Sequence, residues 1–237
     1  MNCIFVHGLG LSSIIWEPLI PLVKNPCLTL DVPGHGNSQN NCFSWQSLFN
    51  EIESRITSDS QDVTLVLHSF SSCLLPELIN THLSFKYIVL VEGLIHSDDA
   101  IHTRSMNSFT SDAFDLWYRR FLKVTNMALK HQLVTAHPKK SIDLWSNAFQ
   151  EVLPEALQQY GNLCLKRLND PCLYEALVKL SSSLVYLKGD RSKLSKTNSS
   201  ILSELSVNTL CVPNCSHFPM LDNPVHTSDI LNSLSNS

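Results

Sequence analysis

Short apolar runs of strand length recur along this chain, each followed by a longer segment of helical period. The runs are Cys3 to Val6, Cys27 to Leu30, Val63 to Leu67, Tyr87 to Val91, Leu184 to Leu187 and Thr209 to Val212. They are nearly continuous rather than alternating, as expected of strands covered by helices on both faces. Ile14 to Val23, Ser44 to Ile56, Ser71 to Thr81, Leu194 to Leu205 and His226 to Leu234 carry the helical periodicity. Strand-then-helix alternation restricts the chain to the α/β class, with a mostly parallel central sheet flanked by helices.

Between Val91 and Leu184 lie roughly 90 residues without a strand signal, against the ~12 that a crossover requires. The surplus predicts an inserted helical cap over 94–179, with the core divided between 1–93 and 180–237. Inside the insertion, Phe114, Trp117, Tyr118, Phe121 and Leu122 follow i, i+3, i+4, i+7, i+8 spacing and form one aromatic helical face. Such a face packs the core of a small helical unit, lines a substrate pocket, or does both.

At 237 residues the chain accommodates one good-sized core but not two large ones. Its 17 Lys and Arg are scattered and the net charge is −4, so no broad cationic footprint for nucleic acid is expected. No stretch approaches the ~20 apolar residues of a membrane helix. The opening Met-Asn-Cys-Ile-Phe-Val-His-Gly has no basic leader, and its apolar run breaks at His7 and Gly8. It does not have the layout of a secretory signal, which makes a cytoplasmic protein the expectation. Among the 8 cysteines, Cys3, Cys27, Cys73 and Cys211 fall in or beside apolar segments and read as reduced, packed thiols. No paired zinc-ligand spacing occurs, so no metal is expected.

The sharpest local feature is Leu65-Val66-Leu67-His68-Ser69-Phe70-Ser71-Ser72, a strand that stops at a serine and passes at once into a helix. A nucleophile on such a turn is held out from the sheet edge near the positive end of the following helix. A serine that merely caps the helix accounts for the segment equally well. Glycine is usual two residues either side of such a nucleophile, where this chain has Leu67 and Ser71. Phe5-Val6-His7-Gly8-Leu9-Gly10 is a second strand that ends in a glycine loop. It is either a plain tight turn or a loop whose Gly8 lets the Leu9 N–H face an oxyanion, with the Phe70 N–H as second donor. His217, in Val212-Pro213-Asn214-Cys215-Ser216-His217-Phe218, follows the last strand and is either a surface histidine or a base reaching over the sheet edge.

Taken together these segments resemble the α/β-hydrolase superfamily over nearly the whole chain. Asp31-Val32-Pro33-Gly34-His35-Gly36-Asn37-Ser38 is similar to the family's D-x-P-G-x-G-x-S loop, and all four segments stand in the family's order. The resemblance is closest to the capped esterase-like branch, which also contains C–C hydrolases and a cofactor-free lyase. It implies the α/β-hydrolase fold, a Ser69–His217–acid triad and a small-molecule acyl substrate, with no cofactor. Hydrolysis of a carboxylic ester or thioester of a small to medium apolar acyl group is the activity implied. C–C hydrolysis, lyase chemistry or ligand binding without turnover are the alternatives on the same fold.

The family's acid usually stands in a G-x-x-D loop after the fifth of the strands named above. Here Lys188-Gly189-Asp190-Arg191-Ser192 puts Ser192 in that place and Asp190 two positions early. Asp190 is the favoured acid, and Glu92, at the end of the Tyr87 to Val91 strand, is the rival, because some relatives take their acid from that strand. Asp98 and Asp99 read as the start of a cap helix, and His7, His35 and His68 as loop hydrogen-bonders without a catalytic role. Nothing in the sequence specifies the oligomeric state.

Overall fold

The computed structural model describes residues 3–38, 40–56, 62–79, 81–129, 133–134 and 138–235. Its strands are β1 (Cys3–Val6), β2 (Cys27–Leu30), β3 (Val63–His68), β4 (Phe85–Val91), β5 (Leu184–Gly189) and β6 (Asn208–Val212), close to the apolar runs of the sequence. They form one sheet in the order β2-β1-β3-β4-β5-β6, and every pairing is parallel. All the strands therefore end at the same edge, and the chain turns from one side of β1 to the other between β2 and β3. Open α/β sheets place their sites at that switch point, beyond the carboxyl ends of the strands.

Because side chains alternate across a strand, each continuous apolar run feeds two cores. Ile4, Val6, Leu65, Leu67, Ile88 and Leu90 point to one face. There they meet α1 (Trp45–Glu53), through Leu48 and Ile52, and the short helix α2 (Leu75–Leu78). Cys3, Phe5, Val66, Val89, Val185 and Leu187 point to the other, against Ile15, Trp16, Leu19 and the C-terminal helices.

Between β4 and β5 the chain is helical: α3 (Ile101–Asn107), α4 (Ser111–Leu129), α5 (Pro138–Gln150), α6 (Pro154–Leu168) and α7 (Pro171–Leu180). Phe114, Tyr118, Phe149, Val152 and Leu157 form a small core of this insertion. Further along, Tyr160, Cys164 and Leu168 of α6, and Leu173, Ala176 and Leu177 of α7, pack into the first face of the sheet. Remaining helices are α8 (Lys196–Glu204), α9 (Pro219–Asp222) and α10 (Pro224–Ser235).

Two helical readings of the sequence are corrected. Ile14 to Val23 is not one helix but two 3-10 turns, Ser13–Trp16 and Ile20–Leu22. Pro18 and Pro21 lack the amide N–H that a continuous helix requires, and their rings clash with the preceding turn. The segment after β3 begins as a tight 3-10 helix, Ser69–Leu74, and becomes α-helical only in α2. All eight cysteines are unbridged; Cys3 and Cys73 are buried and Cys27 is half-buried, but the reading of Cys211 as packed is corrected, since it lies exposed on the edge strand β6. No described helix is long and apolar enough to cross a membrane.

Candidate active site

Ser69 occupies the first position after β3 with φ of 55°, in the left-handed region that side chains other than glycine rarely adopt. The strand arrives extended and the helix leaves at once, so the serine is held at the apex of a sharp turn. On either side, the positions where glycine is usual are accommodated by packing. Leu67 is buried in the first-face core, and Ser71, also buried, donates its hydroxyl to the His7 carbonyl at 2.5 Å. That bond joins the nucleophile turn to the loop after β1.

The β1 loop is braced by two buried histidines. His7 donates from Nδ1 to the Gly8 carbonyl at 2.8 Å and accepts the Val32 N–H at Nε2, 3.0 Å. His35 donates to the Pro33 carbonyl at 3.2 Å and accepts the Gly10 N–H at 3.4 Å. Burial pushes both imidazoles below their usual value, His35 to about 3, with the neighbouring His7 charge acting in the same direction. Each is thus a neutral staple between the β1 and β2 loops; the sequence reads them only as loop hydrogen-bonders. The Gly10 amide is taken by His35, whereas the Leu9 N–H has no acceptor among the described residues. The Phe70 N–H lies in the first turn of the 3-10 helix, where amides have no partner inside the helix.

His217 sits between the turn that follows β6 and the start of α9, half-buried, with Nε2 3.1 Å from Ser69 Oγ. On the far side of the ring, Nδ1 lies 3.6 Å from Glu92 Oε2. Glu92 is 5% exposed and has φ of 50°. Its carboxylate accepts the Gly189 N–H at 2.6 Å and the Ser192 hydroxyl at 2.5 Å.

Asp190 is not at the imidazole. The end of β5 is pinned to β6 by the Asp190 N–H to Val212 carbonyl bond, 3.0 Å, and the Asp190 side chain is exposed and turned onto the next loop. It accepts the Cys215 N–H at 3.0 Å and so closes the turn that contains Asn214 at φ of 57°. Amides of Asn214 and Cys215 hold its carboxyl below the usual carboxylate range. The structure therefore brings Ser69, His217 and Glu92 together and leaves Asp190 outside. Ser192, in the place where the family pattern expects the acid, touches that carboxylate instead.

These groups open into a cavity of about 800 Å³, within the size range of small-molecule sites. Its floor is Gly8, Leu9, Ser69, Glu92 and His217; its roof is Met106, Trp117, Phe121, Trp145 and Phe149 from the insertion. The aromatic face of α4 thus divides, Phe114 and Tyr118 packing inward and Trp117 and Phe121 lining the cavity. Asp98 and Asp99 precede α3, as read from the sequence, and their carboxylates also bond to the start of α8. Among the described residues no cluster of His, Cys, Asp or Glu is arranged to hold a metal ion.

A model described as the alpha/beta hydrolase family matches residues 3–227. Comparison of the sequence with curated proteins returned no match. Among solved structures, E-2-(acetamidomethylene)succinate hydrolase superposes with a TM-score of 0.73 at 16% identity, covering 100% of this chain and 91% of that one. An esterase from Exiguobacterium antarcticum gives 0.74 at 14% identity, with 100% and 92% covered. The enol-lactonase from Burkholderia xenovorans LB400 gives 0.73 at 12% identity, with 100% and 92% covered.

Proposed function

This chain belongs to the alpha/beta hydrolase family, and from that premise we propose that it is a serine hydrolase of carboxylic esters or thioesters with a small to medium apolar acyl group. The observation that carries the proposal is the line Ser69 Oγ, His217 Nε2 at 3.1 Å, His217 Nδ1 and Glu92 Oε2 at 3.6 Å. It is the order nucleophile, base, orienting acid that acyl transfer requires.

In this reading Ser69 Oγ attacks the acyl carbon as its proton passes to His217 Nε2. Charge gathers on the former carbonyl oxygen, where the Leu9 and Phe70 amides donate; one such donor is worth about 3–4 kcal/mol of barrier. Glu92 holds the imidazole with Nδ1 protonated and stabilises the imidazolium. The 3.6 Å separation is longer than a hydrogen bond, and contacts of this kind tighten in the substrate complex. His217 then hands its proton to the departing alkoxide or thiolate, leaving an acyl-Ser69. Water, deprotonated by the same nitrogen, breaks that ester and restores the serine. The aromatic roof supports an apolar acyl chain by excluding water from it.

Fluorophosphonate labelling followed by peptide mapping tests the proposal without a choice of substrate. A single adduct on Ser69, absent from Ser69→Ala, is expected. A folded protein that takes up no label, and hydrolyses no ester of graded acyl length, would sink it.

A further inference from the structure

The histidine that precedes Ser69 lies against two of the loops used by the proposed mechanism, the one after β1 and the one that carries His217. His68 is 1% exposed, and its Nε2 lies 3.0 Å from the main-chain carbonyl of His217. A carbonyl can only accept, so Nε2 carries the proton and Nδ1 a lone pair. That Nδ1 is buried with no hydrogen-bond partner among the described residues. It faces the β1 loop so closely that a Cβ at Gly8 would stand 2.5 Å from it. The imidazole also packs on the rings of His217 and Phe218, with centroids 5.1 and 5.6 Å away.

Buried polar atoms are nearly always bonded, and an apolar side chain of similar volume would fill this space without an orphan nitrogen. The bond made by the other nitrogen is what His68 contributes in return. It holds the His217 main chain, and it comes from the residue adjoining the nucleophile. The neighbouring residues of that loop are held from elsewhere, Cys215 by Asp190 and Ser216 by Asp222.

We infer that His68 is a positioning residue, its Nε2–H holding the backbone of His217 so that the imidazole stays in register with Ser69 Oγ. The inference rests on the Ser69–His217 reading above. Burial, and then the charge of His217, keep the His68 imidazole well below its usual value. It therefore remains singly protonated, with the same tautomer, when His217 takes up the serine proton.

The test compares His68→Gln, whose amide nitrogen keeps a donor at nearly the same reach, with His68→Met, which fills the space without one. Using p-nitrophenyl butyrate as the probe, Met is expected to lower kcat and the labelling rate by about 10²-fold at nearly constant KM, while Gln stays within about threefold of wild type. Equal losses in both variants, or a Met variant with wild-type kcat, would overturn the inference. Nitrogen-15 spectra of histidine-labelled wild-type protein give a readout independent of variant folding. They are expected to show His68 protonated on Nε2 before and after Ser69 is phosphonylated, and a proton on Nδ1 would overturn it. Wild-type protein that fails to label marks failure of the hydrolase reading instead, since this inference requires a labelled wild type with sensitive His68 variants.

Discussion

Glu92 reaches the imidazole because its own backbone turns left-handed where β4 ends. Its N–H stays bonded to the Leu187 carbonyl at 2.8 Å, while the side chain swings across the end of β5. There the Gly189 amide and the Ser192 hydroxyl fix both carboxylate oxygens. Asp190, two residues from Ser192, uses its carboxylate on the Cys215 amide and is exposed. Glu92→Gln is therefore expected to lower kcat by about 10³–10⁴-fold, since the amide no longer supports the imidazolium or its tautomer. Asp190→Asn, which keeps an oxygen for the Cys215 amide, should remain within about fivefold of wild type on the same scale. Steady-state kcat for both variants decides the matter, and the greater loss in Asp190→Asn would reverse the assignment.

At the level of elements, five parallel strands deliver the site to one edge: β1 the Gly8–Leu9 loop, β3 Ser69, β4 Glu92, β5 Gly189 and Ser192, β6 the loop to His217. Their close packing leaves no room at the end of β5. A Cβ on Gly189 would stand 2.3 Å from the Cys215 carbonyl oxygen and 2.4 Å from that of Ser216. Both are backbone atoms of the loop that carries His217, so an added methyl must push that loop or the strand end aside. Gly189→Ala should cost about 1–3 kcal/mol of stability, as overpacking does elsewhere. It should also lower kcat at least tenfold, roughly the effect of a sub-ångström misplacement of the base. A urea midpoint and kcat both equal to wild type would show that the His217 loop is not seated on Gly189.

For the whole molecule, the burial of three imidazoles makes the fold sensitive to acid. His7, His35 and His68 are all buried as neutral imidazoles, and burial is the largest cause of the downward shift in each. In the unfolded chain they titrate near 6.5, so below that pH the unfolded state binds more protons than the folded one. The stability they contribute is fully present above about 6.5 and is lost as pH falls toward the folded values, about 3 for His35. The expected slope is roughly 1 kcal/mol per pH unit for each histidine still neutral in the fold. Urea midpoints taken from about pH 7 to about pH 4 should fall steadily, and His35→Gln should flatten the curve by about one histidine's share. A midpoint that is level across this window would contradict the neutral, buried state of the three rings.

Much of this protein is legible in the chain itself. Continuous apolar runs specify parallel strands, and their positions agree closely with the six observed. Burial on both faces holds for β1, β3 and most of β4 and β5, while β2 is half-buried and β6 largely exposed because they form the sheet edges. Parallel strands share an edge, so residues past their ends, such as Ser69 and His217, come to the same edge of the sheet; β4 and β5 lie between β3 and β6, and the loop after Val212 reaches back across them to bring His217 to the serine. The long interval between β4 and β5 likewise had to hold an insertion. What only the tertiary structure decided is which of two carboxylates faces the imidazole, which aromatic residues of α4 face the cavity, and where His68 spends its proton. Each depends on partners far away in sequence: Gly189 and Ser192 for Glu92, Phe149 for Tyr118, His217 for His68. Local pattern records how a segment is buried; it does not record which distant group completes a hydrogen bond.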